Sequence, residues 1–315
     1  MSRVMERAAT AAELSQVRTM LTDRAKESPI ARLSLEARMS DLEKHLQAIP
    51  DDGIQRARVE LTFRGAPVHA TQGVEARFAA GALDKYDKAV ALAAASMSQK
   101  VKNDGRIPGR ESNKLFITDR ALGSFGFVLE EIPSEMSGPD SQHELVFEKK
   151  SLVCRAAEQT DAILLACEGS DEELAEAASQ VDRRTIVAIR DFLNEIGQHD
   201  ACFTMRTDDR DVGFSDVASV RSAAERLDEK NISESDTEVI GFLWFLPAKR
   251  TFEIQPEIGG DVIYGKIDPD MTDEQIGEMN ILLGKKATFT LHVTKVGHVR
   301  VATRYRLLRW TKPPN

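Results

Sequence analysis

Eight lysines and arginines, with no aspartate or glutamate, occupy the 31 residues from Lys285 to Asn315 of a chain whose net charge is −9. Cations clustered without counter-charge suit one kind of chemistry: guanidinium groups grip phosphate or carboxylate in a bidentate fork, and ammonium groups add point charge. Lys295, Arg300, Arg304, Arg306 and Arg309 are therefore the candidate binding residues, and Trp310 is the aromatic neighbour on which a base could stack. Their spacing is that of strands. Phe289, Leu291 and Val293, then Val299, Val301, Thr303, Tyr305 and Leu307, share one parity and are expected to face a core, leaving Thr288, Thr290, His292, Thr294, Arg300, Ala302, Arg304 and Arg306 outside. A three-residue connection at Val296, Gly297 and His298 would keep both parities in register and pair Thr294 with Arg300 and Thr290 with Arg304. Three readings of this ladder stand side by side. It contacts a nucleic-acid backbone; it is a charged edge that blocks edge-to-edge pairing; or it docks on the acidic interval from Asp171 to Glu238, which holds eighteen acidic against eight basic residues, in the same chain or a neighbour.

Other chemistry finds less support. Pro139, Asp140, Glu148 and Lys150 spell the pattern of a metal-dependent nuclease, in which two carboxylates hold Mg²⁺ and the lysine orients a water. Glu148 and Lys150 open a stretch of helical periodicity, however, and on a helix positions two apart diverge. Asp208, Asp209 and Asp211, like Asp268 and Asp270, lack the glycine and terminal glutamate of a calcium loop. Ser124 sits in Gly123–Gly126 without the GxSxG spacing of a nucleophile elbow. Gly284, Lys285 and Lys286 lack the rest of a P-loop. Cys154, Cys167 and Cys202 are odd in number and far apart, which suits neither a disulfide framework nor zinc. The residues thus assign no catalytic group, metal or cofactor. They favour a binding component over two rivals, a metal-dependent nuclease effector and a structural homo-oligomer.

The elements that must position the basic strands follow from periodicity. Leu14, Val17 and Leu21, then Leu35, Met39, Leu42, Leu46 and Ile49, have helical spacing, and Ser28–Pro29 caps and restarts the helix, so residues 1–53 read as a helical hairpin or coiled-coil segment suited to self-association. Residues 54–238 read as an α+β domain. Its parts are a strand at Arg58–Arg64, a helix from about Gly73 or Val74 to Lys102, paired strands at Leu115–Thr118 and Ser124–Glu131, and long helices at Leu145–Cys167 and Asp171–Ile196. A short strand at Cys202–Met205 and a helix at Phe214–Lys230 complete it. Residues 239–315 read as a small SH3-like or OB-like β-barrel of five strands, with one helix at Thr272–Leu283 opened by a capping box of Thr272 and Gln275. The fold class expected is α+β: N-terminal helical hairpin, central α+β domain, C-terminal barrel.

Phe63–Gly65, the string LGSFGFVLEE from Leu122 to Glu131, GFLWFLPAKRTFEI from Gly241 and VIYGKI from Val262 together resemble uncharacterised bacterial proteins that join an α+β domain to a small β-barrel. The resemblance spans about Arg58 to Trp310. Such proteins are often encoded near mobile-element or phage-defence genes, which would imply an accessory or sensor role in antiviral defence. No apolar run approaches the roughly 20 residues of a membrane span, and the first ten residues have no apolar signal core. The expected setting is cytoplasmic, with nucleic acid or a protein as partner and no membrane.

Overall fold

The computed structural model describes residues 3–24, 29–48, 54–98, 105–121, 125–132, 149–208, 210–269, 271–298 and 300–311. The expected α+β architecture is borne out: an N-terminal helical pair, an α+β unit, and a C-terminal closed five-stranded barrel. Helices α1 (Arg3–Arg24) and α2 (Pro29–Ala48) pack chiefly on each other, burying Leu14 and Val17 of α1 while Leu35, Met39, Leu42 and Leu46 of α2 stay half-buried.

The α+β unit begins with β1 (Ile54–Gln55), β2 (Arg58–Gly65), β3 (Val68–His69) and β4 (Gly73–Val74), followed by α3 (Ala76–Ser98). Strands β5 (Phe116–Ala121), β6 (Phe125–Glu130) and β7 (Lys149–Lys150) lead into α4 (Leu152–Ala166), α5 (Asp171–Ala178) and α6 (Arg183–Gln198). Strands β8 (Ala201–Arg206) and β9 (Asp211–Gly213) and helix α7 (Val217–Arg226) complete it. The main sheet is antiparallel in the order β5-β6-β2-β8-β9. Alternation along β2 sends Val59, Leu61 and Phe63 into the core, as period-two spacing requires. Beneath the sheet, Phe63 meets Phe78, and Phe192 meets both Tyr86 and Phe203. The alanine run Ala91–Ala95 is wholly buried, which lets α3 lie close to α4 and α6.

Two helix expectations are corrected by caps. The helix expected from Leu145 starts at Leu152, because the Ser151 hydroxyl accepts from the Cys154 amide at 3.0 Å and residues 149–150 instead pair in parallel with β1. The single helix expected from Asp171 to Ile196 is two, because Asp182 accepts from the amides of Arg184 and Thr185 and so begins α6 anew.

The barrel comprises β10 (Ile232–Leu246), β11 (Thr251–Pro256), β12 (Ile263–Ile267), α8 (Asp273–Met279), β13 (Lys286–Val296) and β14 (Ala302–Thr311). It closes in the order β10-β11-β12-β14-β13, with β12 parallel to β14 and the helix between its third and fourth strands. That is the OB-like arrangement of the two expected. The Thr272–Gln275 capping box is present. Its first strand starts at Ile232 rather than Val239, so one continuous strand runs out of the α+β unit into the barrel wall. Leu243, Phe252, Ile254, Phe289, Leu291 and Leu307 fill the barrel. Ile232, Val296 and Ala302, at one end of it, belong to the core of the α+β unit.

The last hairpin departs from its expected register. Val296 pairs with Ala302, Thr294 with Arg304 and His292 with Arg306, so the connection has five residues, 297–301, and Arg300 is off the strand. Gly297 explains this. Its φ is +98°, its amide bonds to the Asn231 carbonyl at 3.1 Å, and a Cβ there would lie 2.8 Å from Asp171 Oδ2, so the turn is pinned to the α+β unit. Val301 is exposed rather than inward, and Val299 lies outside the described residues.

Gly265 closes the barrel. A Cβ at that position would sit 2.3 Å from the Tyr305 carbonyl oxygen and 2.7 Å from the Phe252 ring. Gly265→Ala is expected to destabilise the protein by about 1–3 kcal/mol, read as a lower urea midpoint; an unchanged midpoint would contradict the tight β12–β14 pairing.

Candidate functional site

Helix α5 fixes one wall of the site. Ser170 and Glu173 form a capping box at its start, and Asp171, Glu172 and Glu173 complement the positive end of the helix. Arg226 ties that start down, donating to the carbonyls of Cys167 at 2.6 Å and Gly169 at 2.7 Å and to Asp171 Oδ1 at 2.8 Å. The turn from α4 into α5 is thereby held, and α5 packs along β13 and β14.

Between α5 and the barrel opens a cleft of about 250 Å³. Lys249, Arg250, Lys266, Arg304 and Arg306 line it, with Glu176 as the one lining carboxylate among the described residues. Glu176 accepts from Lys266 Nζ at 2.5 Å and from Arg304 Nε at 3.0 Å, and Arg304 also donates to the Glu172 carbonyl at 3.3 Å. Partial burial raises the Glu176 pKa, but hydrogen bonds and charge from Lys266 and Arg304 outweigh it and hold the carboxyl below its ordinary value. Two more carboxylates stand at the edge, Asp268 at 3.7 Å from Arg306 and Asp273 at 3.7 Å from Arg250. Among the described residues, five cations stand against three carboxylates at this cleft, a positive excess within a chain of net charge −9.

Lys249 ends the turn after Pro247, is exposed, and makes no ion pair among the described residues. Arg250 adopts the left-handed conformation, φ +51°, which costs a residue with a Cβ on the order of 1–2 kcal/mol. Its guanidinium is anchored to the Met271 carbonyl, and its buried Nε has no hydrogen-bond partner among the described residues. Arg306 Nε is likewise buried without one, with Asp268 too far for a hydrogen bond. A strained Arg250 backbone beside cations that converge on one cleft is what a site for an oxyanion would show.

Of the residues expected from sequence, Arg304 and Arg306 enter this cleft. Lys295 does not: it is exposed on the opposite parity from Arg304, beside Thr303. Arg300 lies exposed in the 297–301 connection. Arg309 donates from Nε to the Thr290 hydroxyl at 3.2 Å, and Trp310, shifted by a bulge at Thr290/Leu291, pairs with Phe289 and packs half-buried against the barrel core. Lys249, Arg250 and Lys266 were missed, because two lie in the turn after β10 and one on β12, ordinary singly placed cations until barrel closure sets β12 beside β14. The acidic interval does dock on the basic hairpin within this chain, through Glu176 and Glu172.

The rival chemistry can be placed only in part. Lys150 lies on β7, not on a helix, and pairs with Glu158 at 2.5 Å, while Asp140, Glu148 and Ser124 lie outside the described residues. Among the described residues no three His, Cys, Asp or Glu gather as a metal site, and no helix is long and apolar enough to cross a membrane. Burial pushes the Cys154 and Cys167 thiols up to about 12, which keeps them protonated at neutral pH. Neither a scan against protein-family models nor searches of the curated proteins and the solved structures find a match for this chain.

Proposed function

We propose that the chain acts by binding, and that its ligand is a nucleic-acid backbone whose phosphates enter the cleft between α5 and the barrel. The observation that carries this reading is the convergence of Lys249, Arg250, Lys266, Arg304 and Arg306 from three separate stretches of sequence onto one cleft. Phosphate oxygens would meet the part-exposed guanidinium groups of Arg250 and Arg306 in charge-assisted hydrogen bonds, the strong kind. Such a protein would serve as an accessory or sensor component, holding nucleic acid rather than cutting it; the role in antiviral defence implied by the resemblance is of that kind.

Fluorescence anisotropy with labelled oligonucleotides tests it. Three phosphates engaged on a single strand give a slope of roughly −2 for log affinity against log salt. No binding, or binding indifferent to salt, would sink the proposal.

A further inference from the structure

The outer face of the barrel carries a second kind of recognition chemistry beside the cleft. Trp244 on β10 pairs across with Glu253 on β11, which pairs with Tyr264 on β12. Trp244 is 48% exposed and Tyr264 61% exposed, so two large aromatic side chains stand on one side of the sheet with their surfaces open. Two residues along β12, on the same side, is Lys266, whose own cross-strand partner is Arg306. At about 3.3 Å per residue and 4.8 Å between strands, Tyr264 lies roughly 7 Å from Lys266, and Trp244 roughly 10 Å from Tyr264. Aromatic surface therefore continues directly into phosphate-binding surface.

Exposed Trp and Tyr in an otherwise aromatic-poor chain, with aromatics at 6%, need a partner that is flat, apolar on its faces and charged at its edge. Unpaired nucleobases fit; duplex DNA does not, since its bases are stacked on one another and present only their edges in the grooves. The Glu253 carboxylate between the two aromatics strengthens the polarity of the surface. It repels phosphate from the aromatic side, leaving the cleft cations as the track for the backbone, and it can accept hydrogen bonds from base amino groups.

We infer that the ligand is single-stranded nucleic acid, with bases stacked on Tyr264 and Trp244 and the backbone running past Lys266 into the cleft. This rests on the reading of the cleft as a phosphate site. The full-length chain is titrated with a labelled single-stranded oligonucleotide, the matching duplex, and heparin as a polyanion without bases. Wild type should prefer the single strand to the duplex. Tyr264→Ala and Trp244→Ala should each weaken single-strand binding at least fivefold, on the scale of one lost base stack, leave heparin binding unchanged, and recover in Tyr264→Phe. Heparin and oligonucleotide binding that ignore both aromatic substitutions would overturn the stacking inference and leave the cleft reading standing. Absence of binding to all three ligands would overturn both. Loss of self-association in Trp244→Ala, with oligonucleotide affinity unchanged, would overturn the inference and give the aromatic face to a protein.

Discussion

Replacing Lys249, Lys266 and Arg306 together with Ala is expected to weaken oligonucleotide binding by roughly a thousandfold or more, and to flatten the salt dependence by about two units of slope. The magnitude follows from three contacts to a charged ligand, each worth about 1.5 kcal/mol or more, where 1.4 kcal/mol is tenfold. Arg304 is left in place so that Glu176 keeps a partner and α5 stays docked. The comparison that makes the result specific is Arg300→Ala with Arg309→Ala. Both residues belong to the same basic tail, but one sits in the 297–301 connection and the other donates to Thr290, so affinity should stay close to wild type. If the tail acted as a diffuse basic patch, both sets of substitutions would cost alike.

Asp161→Asn is expected to raise stability at pH 8 by on the order of 4 kcal/mol and to change it little near pH 4. Asp161 lies on α4 with no exposed surface, and among the described residues neither of its carboxylate oxygens has a partner within hydrogen-bond geometry, the Thr207 hydroxyl donating instead to the Arg210 carbonyl at 3.3 Å. Burial pushes its pKa from 3.8 to about 7, with the polar neighbours Thr207 and Arg210 pulling back only partly. Because the folded state holds the Asp161 proton more tightly than the unfolded one, the contribution of Asp161 to stability is greatest below about pH 4, falls as pH rises toward 7, and is flat above. Removing the charge removes that loss. The nearby Tyr86 hydroxyl, also buried without a hydrogen-bond partner, has its pKa raised by burial and then by the Asp161 charge, so both groups prefer to be neutral. Urea unfolding of wild type and variant at pH 4.5, 6 and 8 measures this directly, and parallel stability curves would contradict it.

The helical pair, the α+β unit and the barrel were legible in the sequence because each rests on local periodicity. Leu14 and Val17, Val59 to Phe63, and Phe289 to Val293 carry their burial in their spacing. What was not legible depends on distance. The helix break before α6 was signalled by Asp182, a good cap, yet nothing local distinguishes a cap from any other aspartate inside an acidic stretch. The hairpin register turned on Gly297 being pinned against Asp171, more than a hundred residues earlier, and the bulge at Thr290/Leu291 then set Trp310 half-buried against the barrel core. Arg304 and Arg306 were found because they lie on the basic strand itself. Lys249, Arg250 and Lys266 were not, since a cleft made by barrel closure and by docking on α5 has no signature along any one segment.

That docking gives the cleft an internal anion. The Glu176 carboxylate already occupies Lys266 and Arg304, the position a ligand phosphate would take, so it competes with what the site binds. The most direct test is therefore the affinity of Glu176→Gln for a single-stranded oligonucleotide, measured beside wild type at two salt concentrations. Tighter binding in the variant, with the difference shrinking at high salt, is the result this account predicts. Equal or weaker binding would mean that the five cations serve to hold the barrel on α5 and not to receive a ligand.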